Sequence, residues 1–390
     1  MNKIEFGDNR ETMKRWAEEG VKVQTCVTSP PYYGLRDYGT ATYEGGDPNC
    51  EHTISGYSDN MKPDVDRPER DGTKRKQCIK CGATRVDSQL GLEETPEEYI
   101  ENMVDVFRHV KDILADDGTL WVNLGDSYYN YRPGKGQSMP KQTMSNTSQD
   151  LPQETGRRAN KLDGLKEKDL IGIPWMFAFA MRADGWYLRQ DIIWAKGISG
   201  DMRGGTCMPE SVKDRCTKSH EYIFLFSKSP KYYFDDDAIK EPTLTNDNTD
   251  RDRDTTKLNN TPGRSKMAGL KTNSYDMGKR RSVWQINPRP YKGAHFAVYP
   301  QELIKPCILA GSKPGDIVLD PFMGSGTTAA TALKYGRQYM GCELNPEYGP
   351  LQQERIANEQ IGANPDLFEV VTQEISHLNT LFDGNLESEA

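Results

Sequence analysis

Two short motifs, far apart in the chain, place the strongest constraint on its fold. The first, Thr28-Ser29-Pro30-Pro31-Tyr32, follows a short apolar run at residues 21–27. The second, Asp320-Pro321-Phe322-Met323-Gly324-Ser325-Gly326-Thr327-Thr328, follows another apolar run at residues 317–319. Short apolar runs that end at turns are typical of buried parallel strands, and open α/β sheets bind ligands at the carboxyl ends of such strands. The sequence therefore predicts an α/β fold in which both motifs border one crevice.

Strand and helix patterns alternate along most of the chain. A helix is predicted to begin at Thr95-Pro96-Glu97-Glu98, because Thr is a good N-cap, Pro suits the first turn and Glu98 completes a capping box. Gly118 is expected to end this helix, and Pro306 to kink or bound a later one. Further helices are predicted at residues 169–183, 301–310 and 327–335, and strands at 119–124, 187–194, 221–226 and 338–342. This alternation predicts a doubly wound sheet.

The charge balance favours a nucleic-acid partner in one region only. The formal net charge of the 390-residue chain is -8, which argues weakly against phosphate binding. Residues 264–292, however, hold eight basic residues and a single acidic residue, Asp276, and such a local excess suits a surface that follows phosphates. A solvated loop is the alternative. The candidate DNA-binding residues are Lys279, Arg280, Arg281 and Lys292.

Neither a membrane-bound nor a secreted protein is indicated. The chain has no apolar run of about 18 residues, the length that a bilayer span needs. Its first residues, Met1-Asn2-Lys3-Ile4-Glu5-Phe6, lack the apolar segment of a secretory signal. The eight cysteines are scattered, which fits a reducing compartment better than a disulfide framework. We therefore expect a cytoplasmic protein.

Two close pairs of metal-binding residue types lie in a polar stretch. Cys50 stands beside His52, and Cys78 beside Cys81, with Gly82 following. Thiolate and imidazole ligands suit tetrahedral zinc, and the C-x-x-C-G knuckle is typical of zinc ribbons. Because protein ligands fill all four positions, the predicted zinc is structural and not catalytic. Free thiols in a loop are the alternative, since the C-x-H pair is tighter than usual.

Together, the Ser-Pro-Pro-Tyr motif and the glycine-rich motif resemble those of the DNA amino-methyltransferases, which move a methyl group from S-adenosylmethionine to the exocyclic amine of a base. The order, catalytic motif early and cofactor motif late, is similar to the β-type permutation of that family, and the resemblance covers most of the chain. It implies a Rossmann-like, circularly permuted methyltransferase fold with a mixed, mostly parallel, doubly wound sheet. It also implies S-adenosylmethionine as cofactor and DNA as partner, in a bacterial cell or a phage-infected host. A cognate restriction endonuclease, an orphan role, and a monomeric or homodimeric state all remain open.

The glycine-rich motif suits a nucleoside that carries no phosphate. It is not a P-loop, because no lysine follows Gly326. Glu343 stands at the predicted end of the next strand, where a carboxylate can accept hydrogen bonds from both hydroxyls of a ribose. A structural turn could use the same glycines, but the resemblance assigns the ribose to Glu343 and the methionine end to Asp320. The candidate cofactor-binding residues are Asp320, Pro321, Phe322, Gly324, Ser325, Gly326, Thr327, Glu343, Asn345 and, in a preceding segment, Phe296.

The Ser-Pro-Pro-Tyr motif can position an amine that is a poor nucleophile. Successive prolines donate no N–H, and the Ser29 hydroxyl and the Pro30 carbonyl are suited to accept both amine protons. Tyr32 can stack on the base, which must leave the duplex to be reached. Alignment of the amine with the methyl group should supply most of the rate. The candidate catalytic residues are Ser29, Pro30, Pro31 and Tyr32.

Several functions remain open at this stage. Among relatives, a serine at the first motif position is typical of N4-cytosine enzymes and an aspartate of N6-adenine enzymes, so cytosine is favoured over adenine. RNA or protein could replace DNA, because the motif recognises a planar amine or amide. A different class is a non-catalytic zinc-ribbon nucleic-acid-binding protein on a methyltransferase scaffold, although the intact motifs speak against it.

The motifs divide the chain into a catalytic half and a cofactor half. The expected divisions are a catalytic half at 1–127 with a zinc-ribbon-like insertion at 43–86, a mobile loop at 128–168, the rest of the catalytic half at 169–234, a target-recognition region at 235–292, the cofactor-binding half at 293–366 and a C-terminal extension at 367–390. No pattern in the expected recognition region identifies a DNA sequence.

Overall fold

A computed structural model of the chain describes residues 2–34, 38, 40–52, 77–129, 162, 164–197, 212–242, 277–288 and 299–363. Its strands are β1 (Lys3–Phe6), β2 (Val23–Thr28), β3 (Thr42–Glu44), β4 (Thr84–Val86), β5 (Leu114–Leu124), β6 (Tyr187–Ala195), β7 (His220–Ser227), β8 (Glu241–Pro242), β9 (Met277–Gly278), β10 (Val283–Gln285), β11 (Ile317–Asp320) and β12 (Gln338–Glu343). Its helices are α1 (Asn9–Glu18), α2 (Pro96–Ile113), α3 (Ile173–Ala183), α4 (Gln301–Gly311), α5 (Thr327–Lys334) and α6 (Gly349–Ala363).

Eight of these strands form one central sheet, in the order β1-β12-β11-β2-β5-β7-β6-β10. Neighbouring strands are parallel, except that β7 runs antiparallel to both β5 and β6. The predicted α/β fold with a mixed, mostly parallel sheet is thereby confirmed. The strand β10, at one edge of the sheet, lies inside the expected target-recognition region, so part of that region belongs to the sheet.

Helices cover both faces of this sheet, and adjacent strand residues point to opposite faces. On one face α1, α2 and α3 pack over a core that includes Trp16, Phe177 and Leu120. On the other face α4 and α5 pack over a core that includes Leu303 and Trp121. The alternation between Leu120 and Trp121 is what a strand buried on both sides requires. No helix in the described part of the chain is both long and apolar enough to cross a membrane.

The first predicted helix begins where expected but ends earlier. The helix α2 begins as predicted, since Thr95 Oγ1 accepts the Glu98 N–H at 3.2 Å. It ends at Ile113 and not near Gly118, because Leu114 is extended and already pairs with Val23 in the sheet.

Two further helices show how tertiary contacts override local sequence signals. The helix α3 begins at Ile173 and not at residue 169, because the carboxylate of Asp126 accepts the N–H groups of Gly172 and Ile173 at 3.0 and 3.1 Å. The helix α4 continues through Pro306, which is buried. Pro306 therefore does not bound this helix.

Candidate active site

The two sequence motifs leave the central sheet side by side. The strands β2 and β11 are neighbours, with Leu319 paired to Cys26. At their ends, Thr28 Oγ1 donates a hydrogen bond of 2.6 Å to Asp320 Oδ1. Beyond them, residues 29–32 and residues 321, 322 and 324 line the same cavity, which has a volume of about 270 Å³. The two motifs thus border one crevice.

Asp320 is a buried carboxylate that joins the two motifs. It is 1% exposed, and besides Thr28 its Oδ1 accepts the backbone N–H of Phe322 at 3.0 Å. Its Oδ2 accepts the hydroxyls of Thr328 at 2.6 Å and Tyr299 at 3.0 Å. Burial raises the pKa of Asp320, and these hydrogen bonds oppose the rise. These contacts hold the two strand ends together, and the contact of Asp320 with the cofactor stays a prediction.

The glycine-rich turn is built around two glycines in left-handed conformations. Gly324 has φ +52° and Gly326 has φ +82°. A Cβ on Gly326 would lie 3.2 Å from the Gln352 Cα, and Gln352 Nε2 donates to the Gly324 carbonyl at 2.7 Å. Both the backbone angles and the close approach of α6 therefore require glycine. The turn is held rigidly beside the cavity.

Glu343 closes the turn from the end of β12. Its Oε2 accepts the N–H of Gly324 at 2.7 Å, and its Oε1 accepts the N–H of Asn345 at 2.8 Å. The side chain is 9% exposed and lines the cavity. Burial raises the pKa of Glu343 to about 7, while the two backbone hydrogen bonds act in the opposite direction. A carboxyl group that changes charge near neutral pH thus faces the cavity.

The other predicted cofactor residues divide between lining and support. Pro321 and Phe322 line the cavity. Ser325, Gly326 and Thr327 lie behind it, and Ser325 and Thr327 are buried. Asn345 caps a short 3-10 turn, where its side chain accepts the Glu347 N–H at 2.9 Å. Phe296 lies outside the described residues.

The catalytic motif is held at the other end of the cavity by hydrogen bonds. Tyr99 Oη donates to the Pro31 carbonyl at 2.8 Å, whereas no backbone donor among the described residues occupies the Pro30 carbonyl. Tyr32 Oη donates to Glu221 Oε2 at 2.8 Å. Burial and the Glu221 carboxylate raise the pKa of Tyr32 well above its usual range, and a hydrogen bond from Ser29 opposes the rise. The tyrosine is therefore neutral at physiological pH.

The backbone of Gly125 packs against the Cε2 edge of the Tyr32 ring. A Cβ on Gly125 would lie 2.5 Å from Tyr32 Cε2, so only glycine leaves room for the ring there. A Cβ on Gly91, which has φ +87°, would lie 2.7 Å from the Tyr32 carbonyl oxygen. The ring and the backbone of this residue are thus clamped between two glycines.

Four residues that the sequence analysis missed complete this end. Asn123 on β5, Trp194 and Lys196 at the end of β6, and Glu221 on β7 all line the cavity. Glu221 forms an ion pair with Lys196, whose Nζ lies 4.1 Å from the centroid of the Trp194 ring. Asn123 Nδ2 donates to Glu221 Oε2 at 3.3 Å. Because β7 runs antiparallel to β5 and β6, the amino end of β7 lies at the edge of the sheet where β5 and β6 end. Glu221 stands at that amino end, and its place in the site could not be predicted without the strand direction.

The amino-terminal residues 7–10 line the cavity and were also missed. Asn9 Nδ2 donates to the Pro321 carbonyl at 3.1 Å, and Gly7 N donates to the Glu343 carbonyl at 2.9 Å. Asp8 caps α1 and accepts Arg10 Nη2 at 2.6 Å. Burial tends to raise the pKa of Asp8, but its hydrogen bonds with Arg10 lower it below the usual value. The alternating apolar residues at positions 4 and 6, before an Asp N-cap, were the available signal.

The described candidate DNA-binding residues lie between β9 and β10. Lys279 and Arg281 are exposed, and they pair with Asp236 at 3.6 Å and with Glu241. Arg280 is half-buried and stacks over the Trp284 ring at 4.7 Å. Lys292 lies outside the described residues. Phosphate binding by Lys279 and Arg281 remains a prediction, and phosphates would have to compete with these carboxylates.

The four candidate metal ligands come together. The Sγ atoms of Cys50 and Cys78 are 3.9 Å apart, and Cys81 Sγ is 3.3 Å from His52 Nδ1. All four ligand atoms lie within 4.8 Å of one another. The Cys50–His52 pair and the Cys78–Cys81 pair thus form one cluster, although residues 53–76, which the structure does not describe, lie between them in the sequence.

Comparison with solved structures gives distant matches. TTHA0409 of Thermus thermophilus, solved in complex with S-adenosyl-L-methionine, is 20% identical with a TM-score of 0.48, covering 92% of this chain and 94% of that chain. The PvuII DNA methyltransferase, described as cytosine-N4-specific, is 16% identical with a TM-score of 0.48, covering 91% of this chain and 86% of that chain.

Comparison at the sequence level is much closer. A family model described as DNA methylase matches residues 23–354. The type II methyltransferase M.SmaI of Serratia marcescens is 40% identical over 355 residues, which cover 91% of this chain and 90% of that protein. M.Cfr9I of Citrobacter freundii is 37% identical over 356 residues, 90% of this chain and 87% of that protein. The chain belongs to the N6/N4 DNA methylase family. It is a DNA methyltransferase, and M.SmaI and M.Cfr9I are both named type II methyltransferases.

Proposed function

We propose that this DNA methyltransferase moves the methyl group of S-adenosylmethionine to the N4 amine of a cytosine that has left the duplex. The observation that carries the proposal is the shared cavity, which residues 29–32 line together with Gly324 and Glu343. Transfer between two bound molecules requires such a meeting point, since most of the rate comes from alignment. The extruded base is the only form of the base that a cavity of this kind can receive.

The cofactor end suits the nucleoside of S-adenosylmethionine, which supplies an electrophilic methyl group on a sulfonium sulfur. We assign the ribose hydroxyls to Glu343, because each carboxylate oxygen accepts one backbone N–H and has a second lone pair to offer. Gly324 lets the backbone approach the ligand closely, and Phe322 supplies apolar surface. Among the described residues that line the cavity there is no glycine-rich loop followed by a lysine, the arrangement that binds phosphates in P-loops. This agrees with a ligand that has no phosphate.

The catalytic end suits an amine with two protons to donate. The Pro30 carbonyl is one acceptor, since the structure leaves it without a described backbone donor while Tyr99 occupies the Pro31 carbonyl. The Ser29 hydroxyl is the other, because a hydroxyl that donates to Tyr32 still has lone pairs that accept. Two such bonds draw the nitrogen lone pair out of conjugation with the ring. The nitrogen would then bond to the methyl carbon as the carbon–sulfur bond breaks, with S-adenosylhomocysteine as the leaving group, and would afterwards lose a proton to solvent.

The choice of base rests on the serine at the first position of the motif, and N6 of adenine is the alternative. The test is to incubate the enzyme with DNA and S-adenosylmethionine labelled in its methyl group, digest the DNA and identify the labelled nucleoside by mass spectrometry. N4-methylcytosine is expected. N6-methyladenine would overturn the choice of base, and label found only in RNA or protein would overturn the choice of polymer.

We also propose that this enzyme protects DNA from a restriction endonuclease of the same sequence specificity in the bacterial cytoplasm. Relatives that align over most of their length are named type II methyltransferases, although another is named an orphan methyltransferase. Single-molecule sequencing of DNA from expressing cells would give the methylated site. Resistance of that DNA to an endonuclease that cuts this site is the expected result, and full sensitivity would contradict the proposal.

A further inference from the structure

The four-residue cluster has the dimensions of a metal site. In tetrahedral zinc coordination, Zn–S bonds of about 2.3 Å and Zn–N bonds of about 2.05 Å place two sulfurs about 3.8 Å apart and a sulfur and a nitrogen about 3.5 Å apart. The observed distances are 3.9 Å between Cys50 Sγ and Cys78 Sγ and 3.3 Å between Cys81 Sγ and His52 Nδ1. A disulfide would need about 2.05 Å. The cluster fits a metal and not a bridge.

The backbone around the cluster is shaped to bring the ligands together. Cys78 N donates to the Ala83 carbonyl at 2.7 Å, and Gly82 N donates to the Cys78 carbonyl at 2.8 Å, which folds the second pair into a tight knuckle. A Cβ on Gly46, which has φ +68°, would lie 2.8 Å from Cys81 Sγ. The segment around Gly46 thus approaches the knuckle more closely than a residue with a side chain at position 46 would allow. The antiparallel pair of β3 and β4, called the hairpin below, joins these two segments.

The same hairpin continues into the wall of the active-site cavity. Directly beyond its paired strands, Thr40 Oγ1 donates to Asp87 Oδ1 at 3.2 Å, and Tyr38 N donates to Gln89 Oε1 at 2.7 Å. Tyr38, Thr40 and Gln89 all line the cavity, together with Ser88. Cross-strand hydrogen bonds therefore connect the metal-binding end of the hairpin to the cavity.

This wall is attached to the catalytic motif and not to the cofactor turn. Gly34 N donates to the Gly91 carbonyl at 2.8 Å, and Gly91 packs against the Tyr32 backbone. The cofactor turn has other supports, since Gly324 is held by Glu343 and Gln352. A change in the hairpin should therefore reach the catalytic end first.

We propose that Cys50, His52, Cys78 and Cys81 bind one structural zinc ion, and that this ion fixes the hairpin wall that positions the catalytic motif. All four ligands come from the protein, so the ion has no open position for a substrate. Its role is to hold Tyr38, Thr40 and residues 87–91 in register beside Tyr32. The first half of the proposal stands independently of the reaction, whereas the positioning role rests on the proposed function.

The first experiment measures metal in the full-length protein purified under reducing conditions without added metal. About one zinc per chain is expected in the wild type and in Cys216→Ser, a control because Cys216 is an exposed thiol outside the cluster. Cys81→Ser should lose most of the zinc, whereas Cys81→His should retain it. Replacement by Co²⁺ should give the visible absorption of tetrahedral cobalt–thiolate coordination. A metal-free wild type that still binds S-adenosylmethionine, or cobalt spectra that Cys81→Ser leaves unchanged, would overturn the site.

The second experiment separates positioning from overall folding. Cys81→Ser should bind S-adenosylmethionine within about twofold of the wild type, by calorimetry, while its methyl transfer to DNA falls at least about tenfold. Cys81→His should recover most of that transfer. Equal transfer by zinc-bound wild type and zinc-free Cys81→Ser would refute the positioning role. If the wild type transferred no methyl group, the proposed function would fail, and the metal analysis would still decide the site.

Discussion

The two ends of the active-site cavity are built in different ways. The cofactor end is made mainly by one continuous turn and the end of the next strand, and backbone groups take part in most of its hydrogen bonds: Gly324 N binds Glu343, and Met323 N binds the Cys342 carbonyl at 2.9 Å. Asn9 and Gly7 support it from the amino-terminal segment, through the carbonyls of Pro321 and Glu343. The catalytic end is made by side chains from separate strands, in which Tyr32, Asn123 and Glu221 share hydrogen bonds. The cofactor end thus relies mainly on backbone groups, and the catalytic end mainly on side chains.

This difference implies that cofactor binding and methyl transfer can be changed separately. Cofactor binding at a site built from backbone groups should change mainly when a glycine or a single carboxylate is replaced. A network of partly buried side chains changes whenever one member leaves another without a partner, because unpaired buried polar groups are costly. The predictions below test this separation.

The largest effect is expected for Ser29→Ala. The substitution removes one of the two proposed acceptors of the amine protons, and the loss of one such group typically lowers kcat by about 100-fold or more. The affinity for S-adenosylmethionine should stay within about twofold, because Ser29 follows β2 and Glu343 ends β12, with β11 between these two strands. Single-turnover methyl transfer and calorimetry measure the two quantities. A comparable loss of cofactor affinity would show that the two ends are not separable.

The next effect is expected for Glu343→Gln, at the cofactor end. Loss of a charged acceptor of two hydroxyls should weaken cofactor binding by roughly tenfold to 100-fold. Burial raises the pKa of Glu343 to about 7, so the free protein holds a proton there below that pH. Ribose hydroxyls favour the ionised form, and the wild-type affinity should therefore fall as the pH drops below about 7.

The matched control for that pH dependence is the variant itself. Calorimetry of Glu343→Gln should show an affinity that changes little between about pH 6 and about pH 8. The raised pKa affects the stability of the free protein in the opposite direction. Because the folded-state pKa is raised, the Glu343 carboxyl favours folding at low pH, and this contribution is lost as the pH rises through about 7. A wild-type affinity independent of pH would remove Glu343 from the ribose.

The same difference explains which features could be read from the sequence. The glycine-rich turn and Glu343 follow strands with strong apolar signals, and local conformational rules for glycine apply to them directly. The motif at residues 28–32 was accessible for the same reason. The placement of both motifs at one crevice followed from the general rule for parallel strands, and the structure has them there.

The features that were missed depend on pairing over long distances. Glu221 stands at the beginning of a strand, and its position at the active-site edge follows only from the antiparallel direction of β7. The role of Asp320 toward the cofactor stays a prediction, whereas its four donors, two of them from distant segments, were not predicted. The early end of α2 was set by the pairing of Leu114 with Val23. Local propensity carries no information on such partners.

A smaller effect is expected for Glu221→Gln, at the catalytic end. The amide oxygen can still accept the Tyr32 hydroxyl, but the ion pair with Lys196 is lost, and the ammonium stays beside the Trp194 ring. We expect methyl transfer to fall about tenfold, since a partly buried ammonium loses this partner and the hydrogen-bond network around Tyr32 loses its negative charge. Cofactor affinity should not change. Transfer at the wild-type rate would show that Tyr32 does not need this network.

The smallest effect is expected for Thr28→Val, at the point where the two ends join. The substitution removes the 2.6 Å hydrogen bond to the buried Asp320 and keeps the shape of the side chain. The free energy of unfolding, measured in urea, should fall by about 1–3 kcal/mol. Thr42→Val, on the exposed β3, is the control and should change it by less than about 0.5 kcal/mol. Because Asp320 contacts both strand ends, cofactor affinity and methyl transfer should fall together, each by a few-fold. A fall in only one of them would mean that Asp320 supports one end of the cavity and not both.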